Sequence, residues 1–132
     1  MKKLWIALIC AAVMTLCLCA VAGAASYQFD SGTGKLTITG DGEITKADVL
    51  SACNNKPTSI TSVEIGQGIT GIGESAFSGC NSMHSITIST SVTSIGNKAF
   101  MNCTILENIT IPTSVTSIGE KAFYDCMNLE SV

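Results

Sequence analysis

A period of 23 residues constrains this chain more than any other feature. From Ile60 onward, Ile72, Ile95 and Ile118 correspond, as do Gly73, Gly96 and Gly119. The pairs Ala76-Phe77, Ala99-Phe100 and Ala122-Phe123 follow, then Cys80, Cys103 and Cys126. Ile60, Met83, Leu106 and Leu129 open the units, and Val63, Ile86, Ile109 and Val132 come next. Ile65, Ile88 and Ile111, then Ile69, Val92 and Val115, complete the apolar register. Self-similarity over three full units predicts a solenoid whose coils each bury too little to fold alone. Stability must come from stacking.

Each unit carries two local patterns. Ile86-Thr87-Ile88 and Ile109-Thr110-Ile111 alternate β-branched apolar with polar residues, predicting a strand with one buried face. Ser94-Ile95-Gly96 then reads as a corner, with the recurring glycine supplying a positive φ. Lys98-Ala99-Phe100-Met101-Asn102-Cys103 is too short for a long helix and reads as a short helical or 3₁₀ turn. The spacing is that of leucine-rich repeats, so the expected fold is an α/β repeat solenoid: 23-residue coils, each a short parallel strand plus a short helical or 3₁₀ turn, behind an N-terminal β cap.

The full unit resembles the BspA-like (Treponema-type) leucine-rich repeats of bacterial surface proteins. Leu106-Glu107-Asn108-Ile109-Thr110-Ile111-Pro112 through Ala122-Phe123-Tyr124-Asp125-Cys126-Met127-Asn128-Leu129 carries the resemblance throughout. It covers Ile60–Val132, with Met83 at a usual leucine position and Ser89 where proline is common. Gly34-Lys35-Leu36-Thr37-Ile38-Thr39-Gly40-Asp41-Gly42 is similar to the short β element that precedes such repeats in secreted members. The resemblance implies a surface-exposed binding protein, in some members an adhesin for host matrix glycoproteins.

Flanking segments set the domain plan. Lys2 and Lys3 precede an uncharged run from Leu4 to Ala25 that ends in small residues, the pattern of a secretory signal peptide over residues 1–24. The run is also long enough for an uncleaved membrane anchor. No small residue stands directly before Cys10, Cys17 or Cys19, which argues against a lipid anchor. Residues 25–59 are expected to form an N-terminal cap, with a hairpin-like element over Tyr27–Gly42 and a short helix over Lys46–Asn54. Repeats then fill residues 60–132. The last unit breaks off at a strand start, so the sequence predicts a fragment of a longer array, a truncated frame, or a chain that self-associates through its uncapped C-terminal coil.

Composition excludes several classes. The chain of 132 residues has net charge −3, and losing Lys2 and Lys3 takes it to −5. All its basic residues are lysine, a poor basis for phosphate recognition, so no nucleic-acid partner is expected. A mildly acidic exported chain has no attraction for anionic lipid; membrane contact is expected only through an uncleaved signal segment. Cys53, Cys80, Cys103 and Cys126 remain after the signal, and the last three, at equivalent positions, read as a buried packing column. Parallel neighbouring thiols suit a disulfide torsion poorly, and no C-x-x-C or Cys/His spacing suits zinc. No cofactor or metal is expected. A nucleophilic pair of His84 with Cys53 or Cys80 lacks an orienting third group, so no enzyme is expected either. Phe77, Phe100 and Phe123 read as a core column.

A ligand would then dock on the outward strand residues. By alternation these are Ser62, Glu64, Ser85, Thr87, Ser89, Asn108 and Thr110. They form a small polar strip without aromatic anchors, suited to weak multivalent contact with an extracellular protein or glycoprotein. The alternative is a structural or capping segment of a longer surface protein.

Overall fold

The computed structural model describes residues 24–132; the expected signal peptide, residues 1–24, lies outside that range except for Ala24. The described chain runs β1 (Ala25–Asp30), β2 (Lys35–Gly40), β3 (Gly42–Ile44), α1 (Lys46–Ala52), a 3₁₀ turn (Pro57–Ser59), β4 (Ser62–Ile65), β5 (Ile69–Ile72), β6 (Ser85–Thr87), β7 (Ser94–Ile95), β8 (Asn108–Ile109) and β9 (Ser117–Ile118). Two ladders result, one in the order β1-β2-β4-β6-β8 and one in the order β3-β5-β7-β9. Every pairing is parallel except the β1–β2 hairpin. Stacked coils of short strands and turns make a leucine-rich-repeat solenoid.

Each coil contributes two strands where the sequence pattern suggested one. Ser94–Ile95, expected as a corner, pairs with Gly71–Ile72 on one side and Ser117–Ile118 on the other. A two-residue strand is too short to show alternation. Bonds from neighbouring coils sustain it: Thr93 N–H to the Thr70 carbonyl at 2.9 Å, Gly96 N–H to that of Ile72 at 2.7 Å. The threonine hydroxyls add a second ladder, with Thr93 Oγ1 donating to the Thr70 carbonyl at 3.1 Å and Thr116 Oγ1 to that of Thr93 at 3.3 Å.

The segment after Gly96 is a column of turns, and Lys98–Cys103 forms no helix. Alternate amides serve different partners. Ala76, Ser78 and Cys80 N–H bond back within their own coil, to Gly73, Ser75 and Phe77 carbonyls. Ser75, Phe77 and Gly79 N–H donate instead to Asn97, Ala99 and Met101 of the next coil at 2.9, 2.8 and 2.9 Å. Left-handed residues at Ser75, Lys98 and Lys121, and again at Gly79, Asn102 and Asp125, turn these amides outward. A continuous helix would spend all its amides internally; this backbone splits them, which makes the turns a third ladder.

The recurring glycine has a different cause from the one expected. Gly73, Gly96 and Gly119 are not among the positive-φ residues. Their column is where coils approach most closely. A Cβ on Gly73 would stand 2.6 Å from the Ile44 carbonyl oxygen, and one on Gly96 would stand 2.8 Å from Gly73 C and Glu74 N. Real Cβ atoms do not come that near backbone, so the absent side chain sets the coil spacing.

The N-terminal region is built into both ladders. β1 closes the first sheet as an antiparallel edge, with Tyr27 opposite Ile38 and Phe29 opposite Leu36. β2 stacks in parallel register on the repeats, Leu36 beside Val63 and Ile38 beside Ile65, while Ile44 of β3 meets Ile72. Helix α1 starts at Thr45, whose hydroxyl accepts the Asp48 N–H at 3.1 Å, and it buries Val49. Asn54 and Asn55, both at positive φ, end it.

Inside, equivalent side chains form columns. Phe77 and Phe100 stack at 5.6 Å between ring centroids and 10° between planes, and Phe100 and Phe123 at 5.3 Å and 5°. Cys53, Cys80 and Cys103 are wholly buried, with Cys126 half-buried. The Cys103 thiol donates to the Phe77 carbonyl at 3.3 Å and the Cys126 thiol to that of Phe100 at 3.0 Å. Each thiol thus bonds to the carbonyl of the phenylalanine one coil earlier, tying the two columns together.

Candidate functional site

The outer face of the first sheet is assembled from alternate residues of five strands. Ser62, Ser85 and Asn108 occupy one row, each opposite the next, and a bridge from Asn108 to Ser131 extends it. Glu64 and Thr87 face each other in the neighbouring row. Glu64, Ser85, Thr87, Asn108 and Thr110 are exposed, Ser62 half-buried. Their inward neighbours Val63, Ile65, Ile86, Ile88 and Ile109 are buried, which fixes the orientation of the outward set.

Ser89 stands apart. It lies beyond β6 at the corner between the two sheets, and its hydroxyl donates to the Gly66 carbonyl at 2.9 Å. It also meets the Ser91 hydroxyl at 2.7 Å, which in turn donates to the Ile69 carbonyl at 2.7 Å. In the next coil Pro112 stiffens the same corner through its ring. Ser89 holds the bend with hydrogen bonds instead, so its polar group is spent on the fold.

The face extends further than the repeats suggested. Lys35 is in register with Ser62 and Thr37 with Glu64, while β1 adds Asp30 beside Lys35 and Gln28 beside Thr37. The Lys35 ammonium lies 3.0 Å from the Glu64 carboxylate, both about half exposed. An ion pair so open to water contributes little to stability, but with Asp30 beside Lys35 it gathers the charge of the face at its N-terminal end. Hydrogen bonds from Gly32 N–H and the Thr33 hydroxyl hold the Asp30 carboxyl below its ordinary value. The alternation in Lys35-Leu36-Thr37-Ile38 could have placed these residues on the face. What hid them was the offset from Leu36 to Val63, which differs from the repeat spacing.

The four cysteines among the described residues offer no reactive centre. Burial, with a smaller contribution from Cys53, pushes the Cys80 thiol from 9.0 up to about 12, and burial likewise raises Cys103 and Cys126. A reactive thiol needs the opposite, a lowered value and access. His84 is exposed whereas Cys53 and Cys80 have no accessible surface, so the pair presents no shared opening. Among the described residues no group of three or more His, Cys, Asp or Glu is placed to hold a metal ion. None of the described helices is long and apolar enough to cross a membrane.

Parallel ladders, a polar outer strip and stacked interior columns define a leucine-rich-repeat protein. The sequence profile of the BspA type leucine rich repeat region matches residues 50–132 in six copies, and the chain belongs to that family. Two solved structures share the fold. A leucine rich repeat protein of T. pallidum (TpLRR) superposes with a TM-score of 0.59 at 22% identity, over 78% of this chain and 54% of that one. A leucine-rich repeat protein from Eubacterium ventriosum gives 0.55 at 25% identity, over 78% of this chain and 36% of that one. The chain therefore spans about half of the first and about a third of the second. No curated protein sequence matches it.

Proposed function

We propose that the protein is an extracellular or cell-surface, non-enzymatic interaction module that engages a protein or glycoprotein through the outer face of its first sheet. The observation carrying this reading is the face itself: Glu64, Ser85, Thr87 and Asn108 are exposed in parallel rows, with exposed Thr110 directly after β8, on a backbone fixed by two further ladders. Rigid elements present side chains without an ordering cost on binding. The apolar run over Leu4–Ala25 behind Lys2-Lys3, and membership of the BspA type family, support export. Matrix glycoproteins are the partner class this reading favours.

The test is a titration of the purified protein over immobilised matrix glycoproteins. Saturable binding is expected, lost when Glu64, Thr87 and Thr110 are together changed to lysine while circular dichroism stays unchanged. Binding that survives the triple change would move the contact to another surface. Absence of binding by the folded protein would leave a structural segment of a longer surface assembly as the better reading.

A further inference from the structure

The two ladders differ in their first strands. β3 opens the second sheet with a shift of register between Gly42 and Glu43 against β5. β1 opens the first sheet with every residue paired to β2, from Ala25 with Gly40 to Asp30 with Lys35, and no shift. Its sequence, Ala25-Ser26-Tyr27-Gln28-Phe29-Asp30, holds no lysine, proline or bulge, the devices that keep a strand edge from pairing with another chain. Among the described residues no strand lies on its far side.

Backbone parity identifies what that edge offers. The Ile38 carbonyl accepts the Gly66 N–H at 2.8 Å, so Leu36 and Ile38 turn their polar groups toward β4, while Lys35, Thr37 and Thr39 turn theirs toward β1. The β1 residues opposite those three are Asp30, Gln28 and Ser26. The N–H and C=O groups of Ala25, Tyr27 and Phe29 therefore point away from the sheet, without a partner among the described residues. The side chains of the same three residues face the interior, and they are only half-buried where the facing Ile38 and Leu36 are fully covered. Unmet hydrogen bonds and open apolar surface thus run along one line.

Two identical strands laid antiparallel are self-complementary about a two-fold axis normal to the sheet, as a symmetric dimer requires. We propose that β1 pairs antiparallel with β1 of a second copy, Tyr27 opposite its own equivalent and Ala25 opposite Phe29, joining the two first sheets into one. A register centred on Tyr27 engages all three outward-facing residues of each strand; sliding by two residues leaves one of them in each copy outside the pairing. It also sets Ser26 opposite Gln28 on the outer face. The proposal rests on the export reading above, because removal of residues 1–24 gives Ala25 the α-ammonium. In this register that ammonium lies beside Asp30 of the other copy, at both ends of the pair. Asp30 is exposed, and its carboxylate, which accepts the Gly32 N–H at 2.8 Å, keeps oxygen lone pairs open to it. Charge thus fixes the same register that the backbone favours.

The test uses the protein purified after expression of the complete 132-residue sequence in a secreting bacterial host, its N-terminus read by mass spectrometry. Sedimentation equilibrium from low to high micromolar concentration is expected to show a monomer–dimer equilibrium. Hydrogen exchange at the Tyr27 and Phe29 amides is expected to slow as the dimer forms. Tyr27→Pro removes an outward N–H that the hairpin does not use, and is expected to weaken association at least about tenfold with circular dichroism unchanged. Asp30→Asn keeps an acceptor for the Gly32 N–H and removes the charge, and is expected to weaken association about fivefold at low salt. A dimer that Tyr27→Pro leaves intact overturns the proposal, as does one whose Tyr27 and Phe29 amides exchange at the monomer's rate. A monomer that begins at Ala25 overturns this proposal alone, whereas retention of residues 1–24 overturns the export reading and the proposal together.

Discussion

Replacing Gly96 by alanine separates two reasons for a conserved-looking glycine in a repeat. Gly96 is not at positive φ, so alanine meets no backbone strain there. The whole cost arises between coils: the new Cβ would stand 2.8 Å from Glu74 N and from Gly73 C, and 3.1 Å from Glu74 Cα. Those neighbours are backbone atoms held by the Ser75-to-Asn97 and Gly96-to-Ile72 hydrogen bonds, so no side chain can swing away. Overpacking against so stiff a wall is expected to cost about 3 kcal/mol. Gly79 is the opposite case. It sits at φ +84° with nothing within 4 Å of an added Cβ, so alanine there meets strain without a clash, about 1 kcal/mol. Gly79→Asn is expected to cost less still, since Asn102 occupies the equivalent site at φ 64°. Urea unfolding of the three variants, read from midpoint and slope, is the assay. If Gly96→Ala loses less than Gly79→Ala, close approach is not what the glycine column is for.

Three further outcomes follow from the interior columns. The folded-state value of Cys80 lies above its ordinary 9.0, at about 12, so the stability linked to it is fully present below about pH 9 and lost as pH rises through about 12. That three-unit difference corresponds to about 4 kcal/mol, and Cys103, Cys126 and Tyr27 shift in the same direction. Urea midpoints should fall steadily above pH 9, and thiolate formation at Cys80 itself near pH 9 in the folded protein, read by site-resolved labelling, would contradict this. Phe100→Ala removes the ring stacked on both neighbours and is expected to cost about 4 kcal/mol by the same unfolding assay. Native-state alkylation should modify half-buried Cys126 first and spare Cys53, Cys80 and Cys103 until unfolding, as peptide mass spectrometry would reveal.

The legible part of the fold was what repeats at one fixed interval. Ile-Thr-Ile alternation located β6 and β8, and the phenylalanine and cysteine columns could be read as interior because the same residue types return in register. The second strand of each coil was not legible, since Ser94–Ile95 is a strand only through bonds to Gly71–Ile72 and Ser117–Ile118. Such pairing is a property of neighbours, and two residues carry no period. The turn column reads in sequence as a short helical or 3₁₀ turn for a related reason: its amides alternate between the same coil and the next, which leaves no local signature beyond left-handed residues as unlike as Ser75, Lys98 and Gly79. On the outer face, alternation found the rows but could not tell a free hydroxyl from one already spent. Ser89 and Ser85 look alike in sequence, and only the corner geometry separates them.

The extent of the proposed face limits what it can bind. Neighbouring coils in a parallel ladder lie about 4.8 Å apart, so the rows from Lys35 through Ser62, Ser85 and Asn108 to Ser131 span only about 19 Å. A strip that short, built from small polar residues with a few charges at one end, lacks the aromatic and arginine anchors that concentrate binding energy. Its contribution per copy is therefore small. Appreciable affinity then requires several strips to engage a repetitive partner at once, each further contact being an intramolecular event. Binding to a surface densely coated with partner is therefore expected to be much tighter than binding to a single dissolved partner molecule. Equal affinity in both formats would contradict a face without a strong anchor.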